Sequence, residues 1–297
     1  MKKLLYKILR RLGLVFIFRE IIQRNKVTLL LYHDISMEKA EKTFPYLAKH
    51  YNLIGLPTFI EACRKGDSSA LPKKALIITF DDGHLGNYEL MPLMNKWNIP
   101  STIFLCAGII NTKRHYWFTY RHPNMSKTAL KRASNQDRLK MLRKIGFTPD
   151  REFQTAQAMN KSQVLEIKDT FDLQAHTMSH PCLPRCTGEE AREEIFKSKE
   201  VLEKEYGLRI NAIAYPNGDY SDRDIALAKE AGYQCGITVD FGYNTVRSDL
   251  FRLKRLSVND TGNLDELAVK ASGVWQFFKT RNGKKQGYGW TDKPQNQ

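Results

Sequence analysis

Two short segments far apart in the chain carry most of its chemistry: Thr79-Phe80-Asp81-Asp82-Gly83 and His176-Thr177-Met178-Ser179-His180. They supply two adjacent carboxylates and two imidazoles. A zinc-type divalent ion with three protein ligands and one open position is satisfied by one carboxylate oxygen and two neutral imidazole nitrogens, with water in the fourth position. One carboxylate is then spare. It can take a proton from a water whose pKa a catalytic zinc lowers to about 7, which is hydrolase chemistry near neutral pH.

Residues on segments about a hundred positions apart converge only if the fold brings their elements to one place. Short apolar runs alternate with longer periodic or charged stretches, the pattern of repeated β-α units and a largely parallel sheet. The runs predict strands at Val27–Tyr32, Ala75–Phe80, Thr102–Cys106, Phe171–Ala175, Ala212–Tyr215, Gly236–Val239 and Lys254–Val258. Helices are predicted near Thr43–Tyr51, Thr58–Lys65, Asn87–Trp97, Lys161–Lys168, Glu189–Tyr206, Asp222–Ala231 and Leu264–Lys279. Thr187 with Glu190 makes a capping box, and Ser221 with Asp222 and Asp224 places acceptors at a helix start. Asp81 and Asp82 follow one strand, His176 another and His33 a third. All are strand C-terminal ends, where parallel α/β barrels and open sheets assemble their sites.

Between Asn111 and Asn160 the alternation stops, and an insertion begins that is rich in aromatic and basic groups: His115, Tyr116, Trp117, Phe118, Tyr120, Arg121 and His122, then a charged helix around Ser126–Ile145. Tyr116 and Trp117 either stack on sugar rings or plug the insertion onto the barrel. Five cysteines, Cys63, Cys106, Cys182, Cys186 and Cys235, form no regular framework and fit a reducing compartment. They read as ordinary buried or loop thiols.

The net charge of +15 is concentrated at the ends. Residues 1–26 hold eight basic groups against Glu20, and residues 270–297 hold six against Asp292. The nearly balanced centre lacks the stripe of Lys and Arg that a nucleic-acid groove needs. In the N-terminal segment Leu4, Leu5, Ile8, Leu9 and Leu12 recur at helical spacing, followed by Leu14–Phe18, Ile21 and Ile22. It reads as an amphipathic helix, either lying on an anionic membrane or packed on the catalytic domain with a solvated basic face. No run approaches the roughly 20 apolar residues of a membrane span. Arg19 and Glu20 break the apolar stretch and no small-residue cleavage pattern follows, so no cleaved signal peptide is expected. The expected location is the cytoplasm, and the first of these two readings would place the protein on the inner face of the cell membrane. The chain divides into a basic N-terminal helix (1–26), a catalytic domain (27–262, with the insertion 111–160), and a C-terminal helix and basic tail (263–297).

Over roughly residues 27–258 the chain resembles the polysaccharide deacetylase family, the NodB homology domain. Thr79–Gly83 matches its first motif, His176–His180 its H-[ST]-x-x-H motif, and Ala214-Tyr215-Pro216-Asn217-Gly218 sits where its third motif falls. The early Tyr32-His33 and the Tyr-Pro of the third motif are similar to the exopolysaccharide deacetylase subgroup. The resemblance implies a distorted (β/α) barrel, with Asp82, His176 and His180 as ligands of a divalent metal. Zinc is the default, and cobalt, nickel or manganese suit the same set. It implies Asp81 as general base, Asn217 through its backbone N–H as oxyanion donor, and Tyr215 of the third motif as a further substrate contact; Trp117 of the insertion is a separate candidate contact. The expected reaction removes N-acetyl groups from a cell-surface polysaccharide or its lipid-linked precursor.

Two positions depart from the family pattern. The third motif usually opens with Arg, which pairs with the catalytic aspartate, and Ala214 stands there; Arg252 or Arg255 could replace it. The family's late LxxH histidine has no counterpart, since no His follows His180. His33 is the first candidate for the acid that protonates the leaving amine, and His84 the second. Alternatives are a deformylase of a lipid-linked amino sugar and a non-catalytic glycan-binding relative.

Overall fold

The computed structural model describes residues 2–123 and 125–281. The apolar runs are strands, all paired in one direction. β1 (Val27–Tyr32), β2 (Asn52–Leu53), β3 (Ala75–Phe80), β4 (Ser101–Leu105), β5 (Asp172–Ala175), β6 (Ala212–Ala214), β7 (Cys235–Ile237) and β8 (Leu256–Ser257) form one parallel sheet. The order is β7-β6-β5-β4-β3-β1-β8, with β2 beside the start of β3. Every residue of β1 and β3 is buried. That explains their unbroken apolar sequence, because a parallel sheet is covered on both faces.

The chain opens with α1 (Lys2–Arg11) and α2 (Leu14–Ile17), which runs on through one π-helical turn at Phe18–Ile22. Around the sheet lie α3 (Met37–His50), α4 (Leu56–Lys65), α5 (Leu85–Glu89), α6 (Met91–Lys96), α7 (Lys127–Arg132), α8 (Asn135–Lys144), α9 (Lys161–Ile167), α10 (Gly188–Tyr206), α11 (Asp222–Glu230), α12 (Leu264–Ala271) and α13 (Val274–Arg281). Both capping boxes read from the sequence are formed: Thr187 and Ser221 each accept a hydrogen bond from the backbone three residues on, and Glu190 and Asp224 return one.

The differences from expectation have local causes. The predicted helix at Leu264–Lys279 is two helices, because Gly273 takes a left-handed φ of 80° between α12 and α13. The stretch Asn87–Trp97 is likewise split into α5 and α6, with Pro92 in the first turn of α6. Helix α3 starts six residues before the expected Thr43 and carries Pro45 inside it. The insertion holds α7 and α8, packed through Trp117, Leu130, Leu142 and Phe147 onto Cys182. The basic tail beyond residue 281 lies outside the described residues.

The sheet curls into a distorted (β/α) barrel. Leu253, just ahead of β8, donates to Gly236 and accepts from Thr238, so the two ends of the sheet approach each other. Alternation decides what points inward. Ala75 and Ile77 of β3 join Leu29, Phe104, Ala212, Ala214 and Ile237 in an inner apolar cluster. Two and four residues beyond Ile77, Thr79 and Asp81 continue that face. On β5 the same alternation carries Asp172, Gln174 and His176 inward while Leu173 and Ala175 join the outer core.

Candidate active site

Register aligns the strand ends at one rim. Tyr32 pairs with Phe80, Phe80 with Ile103, and Leu105 with Ala175. The chain beyond each strand stays tied to its neighbour: Asp81 N–H donates to the Tyr32 carbonyl at 3.0 Å, and His176 N–H to the Leu105 carbonyl at 2.8 Å. The backbone then turns sharply. Asp82, Thr177 and His180 all adopt left-handed φ, at 77°, 64° and 58°. Gly83 follows at φ 79°, where a Cβ would stand 2.8 Å from the Leu105 side chain, so the motif needs glycine here.

Asp82, His176 and His180 meet in the buried mouth of the barrel, their ligand atoms all within 4.8 Å of one another. Asp82 Oδ1 lies 3.5 Å from His176 Nε2 and 3.4 Å from His180 Nε2. That oxygen is buried and makes no hydrogen bond. An orphaned buried carboxylate oxygen facing two ring nitrogens is costly, unless a cation completes the set. His176 Nδ1 lies 2.7 Å from the Ala214 carbonyl and must donate its proton there, leaving Nε2 with its lone pair toward Asp82. Burial pushes His180 down to about 3, against the pull of Asp82, so its ring is neutral at physiological pH. The donor set therefore fits a divalent transition metal.

Outer partners fix these ligands. Tyr116 donates its hydroxyl to the Asp82 carbonyl at 2.8 Å, and Trp117 its indole N–H to the His180 carbonyl at 2.7 Å. His84 Nε2 stands 3.1 Å from Asp82 Oδ2. Glu194, on α10, accepts from the Met178 and Ser179 N–H groups, both at 2.8 Å, and from the Ser179 hydroxyl. Glu194 escaped the sequence reading, although an acid one residue before Ile195, on the face that buries Ala191, Ile195 and Ser198, was a signal.

Asp81 points beside this set, with Oδ2 3.9 Å from His176 Nε2. Arg255 grips both its oxygens, Nη1 to Oδ1 at 2.7 Å and Nη2 to Oδ2 at 2.8 Å. Its Nε donates to the Thr238 carbonyl at 2.8 Å and Nη1 also reaches Thr79 Oγ1 at 3.2 Å. Burial alone would raise the Asp81 carboxyl; Arg255 overrides it and holds the group below the usual carboxylate range. The guanidinium missing from Ala214 is thus supplied by Arg255. Arg252 instead pairs with Asp249 and Asp222 at the surface.

His33 stands at the mouth with 45% of its side chain exposed, Nδ1 4.0 Å from Asp260 Oδ2. Its backbone is held on both sides, N–H by Asp260 Oδ1 at 2.9 Å and carbonyl by the Asn87 amide at 2.7 Å. His84, the second acid candidate, is occupied with Asp82. Next to it opens a polar groove of about 490 Å³ lined by Asp34, Ser36, His84, Gly86, Glu89 and Gln157. Asn217 is half-buried at φ 58°, its amide 3.5 Å from Cys182 Sγ. Gly218 follows, where a Cβ would sit 2.6 Å from the Val239 backbone nitrogen.

Two expected substrate contacts need correction. Tyr215 is fully buried, its hydroxyl at the Phe251 carbonyl and its ring stacked on Tyr220. Trp117 is 4% exposed, with the Arg138 guanidinium 4.6 Å from its ring centre. Neither offers a face to a sugar; Trp117 and Tyr116 plug the insertion onto the barrel. The five cysteines are all free.

A curled parallel α/β barrel thus brings a possible Asp/His/His metal set and an Arg-held second aspartate together at its C-terminal rim. Residues 68–236 match the polysaccharide deacetylase family, more than half of the chain, and the chain belongs to that family. The poly-beta-1,6-N-acetyl-D-glucosamine N-deacetylase of Staphylococcus epidermidis is 24% identical over 240 residues, 77% of this chain and 69% of that protein. Among solved structures, the deacetylase PplD of Streptococcus pyogenes, in complex with acetate, superposes with a TM-score of 0.59 at 20% identity, covering 83% of this chain and 98% of that one. IcaB from Ammonifex degensii gives 0.60 at 18% identity, over 84% and 98%. These likenesses fix the fold as the barrel of the deacetylases.

Proposed function

We propose that this protein hydrolyses the N-acetyl amide of N-acetylglucosamine units in a cell-surface polysaccharide or its lipid-linked precursor. The observation that carries the reading is the pairing of an ionised, Arg-held Asp81 with the metal-ready Asp82, His176 and His180. The substrate class draws its support from relatives named for poly-beta-1,6-N-acetyl-D-glucosamine.

When bound at Asp82, His176 and His180, a divalent ion, zinc by default, supplies Lewis acidity that lowers the pKa of water and offsets the oxyanion charge. Everything else falls to the chain. Asp81 accepts the proton of the attacking water, and Arg255 keeps it charged and aligned for that task. The Asn217 N–H meets the oxyanion as the carbonyl becomes tetrahedral. His33, the exposed imidazole at the mouth, delivers the proton to the departing nitrogen as the C–N bond breaks. Water and amide are consumed; acetate and the free amino sugar are formed. The groove beside His84 receives the neighbouring sugar.

The test is metal analysis combined with acetate release from short N-acetylated oligosaccharides, with and without chelator. One equivalent of metal and chelator-sensitive acetate release support the reading. Metal-loaded protein that releases formate from N-formyl sugars and no acetate transfers it to deformylation. Loaded protein that releases neither is a glycan-binding relative.

A further inference from the structure

The N-terminal helices pack on the domain and still leave an apolar face open. On α1, Tyr6, Leu9 and Arg10 turn inward: Tyr6 meets Trp275 edge-on at 4.9 Å, and Arg10 pairs with Asp265 at 2.8 Å. Leu4, Leu5, Ile8 and Leu12 sit at i, i+1, i+4 and i+8, one helical face about 100° wide, and it is exposed. Phe16, Ile17 and Ile21 prolong the stripe beyond Gly13. Leu4, Leu12, Phe16 and Ile21 expose 64%, 68%, 60% and 68% of their surface. On α13, Phe277 and Phe278 are also exposed, edge-on to each other, and Phe277 meets the buried Phe18 at 5.3 Å. So many large apolar side chains exposed on the terminal helices mark an interaction site.

Charge selects the occupant. Lys3, Lys7 and Arg11 are exposed at i, i+4 and i+8 along one flank of the stripe, with Lys2 on the other. Residues 1–26 hold eight basic groups against one acidic, and residues 282–297 add Lys284, Lys285 and Lys293 against Asp292. An uncharged apolar partner would match the apolar face alone; an anionic bilayer matches apolar face and basic flank together, taking the first into the acyl boundary and the second at the headgroups. We infer that α1, α2 and α13 form a docking face that inserts in the interface of an anionic membrane and holds the barrel there. This does not depend on which amide the site hydrolyses.

The experiment is co-sedimentation of the full chain with vesicles of phosphatidylcholine alone and of phosphatidylcholine mixed with phosphatidylglycerol. Binding is expected on the mixed vesicles, at least about tenfold weaker on the neutral ones, and weakened in about 1 M salt, where the Debye length falls to about 3 Å. Phe16→Glu with Ile21→Glu should lower it about tenfold or more, as should Lys3→Glu with Lys7→Glu and Arg11→Glu. All five side chains are exposed, so circular dichroism and activity on short oligosaccharides should stay unchanged, which separates this result from any failure of the functional reading. No binding to mixed vesicles, or equal binding by wild type and both variants, overturns the proposal. So does a stable dimer in vesicle-free solution that Phe16→Glu with Ile21→Glu dissociates, since a second copy then covers the face.

Discussion

Arg255 lies 174 residues along the chain from Asp81 and holds both its carboxylate oxygens, at 2.7 and 2.8 Å, with neither side chain more than 5% exposed. A parallel fork of this kind fixes the carboxylate's orientation as well as its charge. Arg255→Ala should destabilise the fold by about 3–5 kcal/mol, because a buried carboxylate loses its partner. Arg255→Lys keeps a charge and loses the fork, so it should retain more stability than Arg255→Ala and still turn over slowly. Denaturant unfolding and acetate release on the same two variants test this.

The two aspartates should separate metal capture from turnover. Asp81→Asn removes the proton acceptor and keeps the ligand set, so metal content should be unchanged while turnover falls by about 10²–10⁴. Asp82→Asn and His176→Ala should lower both together. Metal stoichiometry measured beside initial rates distinguishes these outcomes.

Asp82 and His180, two of the three residues placed to hold a metal, have left-handed backbones, and each has its carbonyl clamped by a side chain of the insertion, Tyr116 and Trp117 respectively. Such backbones cost about 1–3 kcal/mol each and persist only where the surroundings impose them. Tyr116→Phe and Trp117→Phe keep an aromatic ring and remove the donor. Each should weaken metal affinity about 10–100-fold, in line with other outer-partner losses. Competition against a chelator measures it.

Asp172 gives a pH dependence of stability. Burial raises its carboxyl pKa, and hydrogen bonds from Gln174 and Thr102 offset only part of this. The folded pKa exceeds the unfolded one, so the favourable contribution is complete below the ordinary aspartate pKa of about 3.9 and is lost as pH rises through the folded value. Asp172→Asn should therefore gain stability relative to wild type on going from pH 4 toward neutral. Urea unfolding at both ends of that range checks the sign.

Much of this architecture was legible because its strands are doubly buried and its ligands directly follow them. Val27–Tyr32 and Ala75–Phe80 were delimited to the residue by their apolar runs, and the motifs after β3 and β5 supplied the three residues that meet at the rim. Short elements left little trace: β2 is two residues, only partly buried, and β8 is two residues, Leu256–Ser257, of the five expected at Lys254–Val258. Arg255 was one of two candidates, since sequence distinguishes neither inward from outward nor buried from exposed in so short a strand; the close approach of Leu253 to β7 decides it. The roles of Tyr116, Trp117 and Tyr215 could not be read, because an aromatic that stacks on a sugar and one that hydrogen-bonds a carbonyl have the same letter. The N-terminal stripe was visible as a period, and only packing reveals that Tyr6 and Arg10 go inward while Leu4 and Leu12 stay outside.

The approach of Leu253 to β7, which carries Arg255 to Asp81, also orders events during synthesis. Asp82, His176 and His180 have all emerged some seventy residues before Arg255 does. A chain halted in that interval carries Asp81, Asp82, His176 and His180 and lacks the guanidinium that grips Asp81. The three metal-ready residues and the arginine that holds Asp81 therefore belong to different stretches of polypeptide. The charge balance of the buried aspartates is thus completed last, by a residue on the segment that closes the barrel.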